Sequence, residues 1–344
     1  VIFLFTQALV YGVSMCISFV SHECHDMRKQ ALFSAVLFVF SITVAAALSE
    51  GILRLKNNGM KNYDIEMWRY ARELKAPSSR PELGHDHIQN TSAVLQSVQI
   101  RINEWKLRGG PVVPRNQVDR RILFLGGSIT LGWGVAEEQT ITSYVEAALR
   151  DKGELVDVLN GGVGNYNAER YVQRFFSELE ELKPTDIVVQ YFLRDAEKLD
   201  PSAGNWFLRN SELAVTMWIA ANRLLNRSDE KSLIDHYKQV YSIDQPGFIE
   251  MKHQLLQLAA YATANNIRIF LAMTPDVHNL TDYPFGFIHE EMRKIAEADG
   301  YTYVDLLPAL GKLEPKDIWA MPGDPHPNAL GQKLMAEALL PILH

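Results

Sequence analysis

Ser128 stands in Leu125-Gly126-Gly127-Ser128-Ile129-Thr130, directly after the short apolar run Ile122–Leu125. A serine hydroxyl becomes a nucleophile only when a base takes its proton, and it has to stand exposed at a strand end to reach a carbonyl. Glycines before it permit a tight turn and a close approach of backbone to a substrate. On its own, Gly-Gly-Ser fits an ordinary turn or a phosphate loop equally well. However, there is no Gly-Lys-Ser/Thr here, and the glycine spacing of a dinucleotide site is absent. A base is available near the other end of the chain, in Gly323-Asp324-Pro325-His326-Pro327-Asn328. His326 can take the proton if a carboxylate holds its other ring nitrogen. Asp324 lies two residues earlier, and Pro325 stiffens the backbone between them. A lone histidine beside prolines is usually structural, but here Asp, His and the start of the last helix coincide. Ser128, His326 and Asp324 therefore read as nucleophile, base and orienting acid of an acyl transfer.

The elements that would position them alternate. Ile122–Leu125, Val156–Leu159, Asp186–Leu193, Ile267–Met273 and Thr302–Leu306 are strand-like. Ser143–Lys152, Glu169–Leu182, Leu255–Ala264, Ile288–Ala298 and Leu330–Leu339 have helical spacing. This order predicts an α/β fold, a flavodoxin-like doubly wound parallel sheet of about five strands with helices on both faces. In such sheets ligands bind beyond the carboxyl ends of the strands, where Ser128 falls. An insertion at about 201–245 interrupts the alternation with an apolar run, Leu213–Leu225, and with Trp206, Phe207, Met217 and Trp218. It is either a lid or acceptor wall, or a set of aromatics packed on the core.

From Arg121 onward the chain resembles the SGNH (GDSL-like) hydrolases, and in wording such as Asn160–Asn167 a membrane-anchored bacterial subgroup of them. The first family block, Gly-Asp-Ser-x-Thr, is matched by Gly126–Thr130 with Gly127 where Asp is usual. The last, Asp-x-x-His-Pro, is matched by His326-Pro327, with Asp324 one residue closer than the commonest spacing; exopolysaccharide acetylation proteins of the superfamily show a similar Asp-x-His form. The resemblance implies an oxyanion hole made by the N–H groups of Ser128 and of Asn165, which falls where the family has glycine. Asn tolerates the left-handed backbone that glycine often takes there. Asn167 would cap the following helix. Gly162 and Gly164 are expected to border the substrate. In the third block Arg194 replaces the family's asparagine donor, in Tyr191-Phe192-Leu193-Arg194-Asp195. Arg194 either serves the oxyanion, binds an acidic group of a polysaccharide, or pairs with Asp195 or Glu197.

The first residues are of another kind. Val1–Val20 and Ala31–Leu48 are apolar and uncharged, each near the ~20 residues that cross a bilayer as helix, with a polar stretch between them. A transmembrane hairpin over 1–56 is expected, followed by a linker over 57–118 that includes an amphipathic helix at Asn62–Lys75, and then the hydrolase domain over 119–344. Lys/Arg placement does not fix orientation, since Arg28 and Lys29 argue against Arg54, Lys56 and Lys61. Cys24 with His22 and His25 reads as a short polar turn rather than a metal cluster. With 22% charged residues and a net charge of −7, the chain carries no electrostatic footprint for nucleic acid.

The expectation is a serine esterase that needs no metal or cofactor. It would act through an acyl-serine on an acylated carbohydrate of an envelope or exopolysaccharide, or on another small ester. It would sit in a bacterial inner membrane with its catalytic domain periplasmic or extracellular. A polysaccharide O-acetyltransferase with the same triad, or a non-catalytic glycan-binding module, are the alternatives.

Overall fold

A computed structural model of the protein describes residues 27–58, 62–199, 206–225, 230–322 and 324–344. The chain opens with α1 (Met27–Asn57) and α2 (Tyr63–Glu73), the pair β1 (Lys75–Pro77) and β2 (His85–His87), and the hairpin β3 (Thr91–Leu95) and β4 (Val98–Ile102). There follow β5 (Arg120–Gly126), α3 (Ser128–Leu131), α4 (Ile141–Asp151), β6 (Val156–Asn160), α5 (Ala168–Arg174) and β7 (Asp186–Phe192). The insertion supplies α6 (Trp206–Asn210), α7 (Glu212–Leu225) and α8 (Glu230–Val240). The remainder is α9 (Pro246–Ala264), β8 (Arg268–Thr274), α10 (Gly286–Asp299), β9 (Thr302–Asp305), α11 (Leu307–Leu310), β10 (Trp319–Met321), β11 (Asp324–Pro327) and α12 (Ala329–Leu343).

Five strands form one parallel sheet in the order β6-β5-β7-β8-β9, the flavodoxin-like arrangement expected from the alternation. The interiors of β5 and β8 are unbroken apolar runs because both faces are covered, whereas β6 and β7 also bury Asp157, paired with Arg121 at 3.0 Å, and Gln190. Ile122, Phe124, Val158 and Val188 pack with Val145 of α4 and Leu339 of α12 on one side. Leu123, Leu125, Ile187 and Val189 pack with Tyr171 of α5, Leu258 of α9 and Met292 of α10 on the other. The helix expected over Glu169–Leu182 is regular only through α5; it then widens over Phe175–Leu179, which turns both Phe175 and Leu179 into the core.

The linker is a packed layer. Tyr70, Leu74, Leu95, Ile100 and Ile102 share a core with Leu131 and Trp133, the residues just beyond Ser128. Arg108 bridges β4 to the edge of β6. α1 is long and apolar enough to cross a bilayer, and none of its most apolar window is buried. Its expected partner, Val1–Val20, lies outside the described residues. α7 is tied to α1: Glu50 accepts from the Ser211 hydroxyl and from the N–H groups of Glu212 and Leu213, and Asn57 donates to Glu212 at 2.7 Å. The insertion's aromatics divide: Tyr237 of α8 is buried in the core, whereas Trp206 and Phe207 are 69% and 65% exposed and Trp218 meets Trp68 edge-on at 6.2 Å.

Candidate active site

β5 ends at Gly126, and the chain turns at Gly127 into α3, which begins with Ser128. At the far end of the chain, β11 carries Asp324 and His326, and Asn328 stops the strand by capping α12 through the N–H groups of Leu330 and Gly331. These two pieces meet beyond the carboxyl ends of the strands. Ser128 Oγ lies 2.7 Å from His326 Nε2. His326 Nδ1 lies 2.5 Å from Asp324 Oδ1, which also accepts the His326 backbone N–H at 3.1 Å. Asp324 is fully buried. A carboxylate only accepts, so the Nδ1 proton faces Asp324 and Nε2 accepts from the serine hydroxyl. The three residues singled out in the sequence thus form one hydrogen-bonded chain from the Ser128 hydroxyl through the His326 ring to the Asp324 carboxylate.

A shallow cleft of ≈ 70 Å³ opens over Ser128, lined among others by Asn165, Arg194, Phe192, Tyr63 and Met67. Asn165 has φ +64°, the left-handed backbone foreseen for the position where the family has glycine. Arg194 reaches the same cleft, but its side chain is about half exposed and its Nε donates to Glu197 at 3.3 Å. Asp195 next to it is buried and accepts the Phe192 N–H at 3.0 Å; burial pushes its carboxyl up to about 8.

Gly162 and Gly164 are not part of this lining, which corrects their expected place beside a substrate. A Cβ on Gly162 would stand 2.1 Å from the backbone nitrogen of Leu131, and one on Gly164 would stand 2.5 Å from the Tyr70 ring. Both are glycine because other parts of the protein pass there, the helix of Ser128 in one case and α2 in the other.

The linker contributes more to this site than its sequence discloses. The Tyr63 ring lies 5.7 Å from the His326 ring, and its phenol is pushed up to about 12 by burial and by the Asp324 charge, so it stays neutral. Gly164 N–H donates to the Tyr70 hydroxyl at 2.9 Å. Its carbonyl accepts from Lys75 at 3.2 Å and lies 3.0 Å from His85 Nε2. Burial, with two neighbouring arginines, pulls Lys75 down to about 7, and burial with the Lys75 charge pulls His85 down to about 2. The loop that presents Asn165 is thereby fastened from behind. Gln96, at the tip of the β3–β4 hairpin, touches Asp324 itself. Nothing in the residue types marks Gln96, whereas Tyr63 was legible only as part of an amphipathic helix.

A model of the GDSL-like lipase/acylhydrolase family matches residues 124–334, a span that holds Ser128, Asp324 and His326. The chain belongs to this family and is a hydrolase of ester bonds. No curated protein matches the chain. Among solved structures it is similar to TesA, at 16% identity and a TM-score of 0.42, over 65% of this chain and 98% of that one. It is similar to the esterase EstA from Pseudoalteromonas sp., at 14% identity and a TM-score of 0.41, over 65% and 97%. It is also similar to a catalytic mutant of an acetylxylan esterase from Geobacillus stearothermophilus, at 17% identity and a TM-score of 0.44, over 65% and 94%.

Proposed function

We propose that the protein is a serine esterase that removes short acyl groups through an acyl-Ser128 intermediate. The single observation that carries this is the continuous relay from Ser128 Oγ through His326 to buried Asp324, at 2.7 Å and 2.5 Å. Ser128 Oγ attacks the ester carbonyl while its proton passes to His326 Nε2. The imidazolium, held by Asp324, then gives that proton to the leaving alcohol. Water repeats the sequence on the acyl-serine and frees the acid. The N–H groups of Ser128 and Asn165 hold the oxyanion, a role supported by the left-handed turn of Asn165 at the cleft. Arg194, engaged by Glu197 at the rim, attracts acidic groups of the substrate.

The small cleft suits an acetyl group, with the alcohol portion left outside against Tyr63 and Phe192. Aromatic faces beside an open cleft favour a sugar ring, and we assign an acylated carbohydrate of the cell envelope or an exopolysaccharide as substrate. The chain is organised as a membrane anchor within 1–56, a linker over 57–118 that builds one wall of the cleft, and a hydrolase domain over 119–344. We place the domain on the outside of a bacterial inner membrane; the length and apolarity of α1 support the anchor, and the side is our assignment. Ser128→Ala should abolish hydrolysis of a neutral aryl acetate and of acetylated oligosaccharides while leaving the melting temperature near that of the parent. Full activity in that variant would refute the mechanism. Protection of the domain from protease in intact spheroplasts would refute the orientation.

A further inference from the structure

The β3–β4 hairpin precedes the span matched by the family, yet its tip reaches the triad. Gln96 takes the first position of the two-residue turn with φ 50°. Its side chain is buried, and its Nε2 donates to Asp324 Oδ2 at 2.8 Å. Asp324 Oδ1 is already used by the ring and the backbone of His326. One carboxylate oxygen therefore holds the base, and Gln96 holds the other. The amide cannot be turned the other way, because Oε1 would then face an acceptor. In the observed orientation Oε1 has no partner and lies 2.6 Å from where a Cβ on Gly134 would stand. That buried orphan is a cost accepted for the bond to Asp324. Gln96 is held in turn, its backbone N–H donating to Glu66 at 2.7 Å. Glu66 is buried on α2 and paired with Arg69 at 2.7 Å.

We propose that Gln96 is a positioning residue for the catalytic acid, so that the linker completes the triad of the hydrolase domain. This rests on the acyl-serine mechanism proposed above. With Oδ2 unheld, the buried carboxylate rotates about its Cβ–Cγ bond, and Oδ1 no longer fixes the tautomer of His326. The contacts that bind a substrate are untouched by that rotation.

The test uses the full chain in detergent with a neutral aryl acetate. Gln96→Leu should lower kcat on the order of ten- to a hundred-fold, as loss of a supporting hydrogen bond does in other sites, with KM within about twofold. The same change placed in an Asp324→Asn background should cost nothing further, because the two act as one unit. Gln96→Glu gives a readout that packing alone does not supply. While protonated, its carboxyl donates to Asp324 in place of the amide. Its ionisation is opposed by burial and by the Asp324 charge, so the variant should be active at lower pH and lose activity as pH rises through that ionisation. Wild type should show no such loss. A folded Gln96→Leu with wild-type kcat, or a Gln96→Glu profile parallel to wild type, overturns the proposal. If Gln96→Leu does not fold, the Gln96→Glu profile decides; loss of fold in both assigns Gln96 to structure alone and also overturns it. Ser128→Ala measured alongside separates the two levels: if it retains turnover, the acyl-serine mechanism itself has failed, whatever the Gln96 variants do.

Discussion

Gly162→Ala adds a single methyl group, and its consequences follow from where that group would go. The Cβ would lie 2.1 Å from Leu131 N, 2.6 Å from Thr130 C and 2.8 Å from Leu131 Cα. These are backbone atoms of α3, so no side-chain rotation relieves the clash. The two segments are also clamped, since Asn160 accepts the Gly162 N–H at 3.1 Å and donates to the Thr130 carbonyl at 2.8 Å. Ordinary contact begins at 3.4 Å, so the closest approach is short by about 1.3 Å, and overpacking of this kind costs about 1–3 kcal/mol. That predicts a melting temperature lower by several degrees. Because α3 begins with Ser128, the same displacement moves Oγ away from its 2.7 Å partner His326. A misplacement of ~1 Å in such a geometry costs on the order of a hundred-fold in turnover. The assay is kcat and KM on a neutral aryl acetate beside thermal unfolding. A variant with unchanged stability and kcat but a raised KM would refute this reasoning, and would return Gly162 to the substrate-contacting place its sequence context suggested.

Two further outcomes are expected. Arg194→Ala should leave kcat on neutral aryl acetates within about threefold, because its side chain is half exposed and paired with Glu197, and should raise KM for acidic polymers; a fall in kcat of a hundred-fold or more would make Arg194 an oxyanion donor instead. Asp195→Asn should change the pH dependence of stability: burial raises this carboxyl from 3.8 to about 8, so the stability that its neutral form contributes is fully present below about pH 4 and is lost as pH rises through about 8. The melting-temperature difference, variant minus wild type, should therefore grow from about pH 4 to about pH 8 and then level off, and a flat difference across that range would show that Asp195 is not buried as described.

The sheet was legible because its strands are covered on both faces, which forces runs such as Ile122–Leu125 and Ile187–Val189 to be apolar throughout. Ser128, Asp324 and His326 were legible because acyl-transfer chemistry restricts the residue types and the fold restricts where they fall, after the first sheet strand and before the last helix. Gly162 and Gly164 show where that logic stops. A glycine reports that something passes close by, but the sequence does not say whether it is a substrate, the α3 backbone or the Tyr70 ring. Gln96 was invisible for a related reason. Its partner is 228 residues away, and a glutamine in a hairpin turn carries no periodicity or spacing that points across such a distance. The exposed aromatics of the insertion were legible as a group, but not their place, which depends on Glu50 and Asn57 of α1 receiving the start of α7.

The central claim is that Ser128 is an activated nucleophile. The most direct measurement is mass spectrometry of the full-length protein and its peptides after treatment with a fluorophosphonate probe. One adduct on the Ser128 peptide is predicted, formed rapidly in wild type and lost or strongly slowed in His326→Ala and Asp324→Ala. An unlabelled Ser128 in protein that still hydrolyses aryl acetate, or labelling of another residue that accounts for the activity, would contradict it.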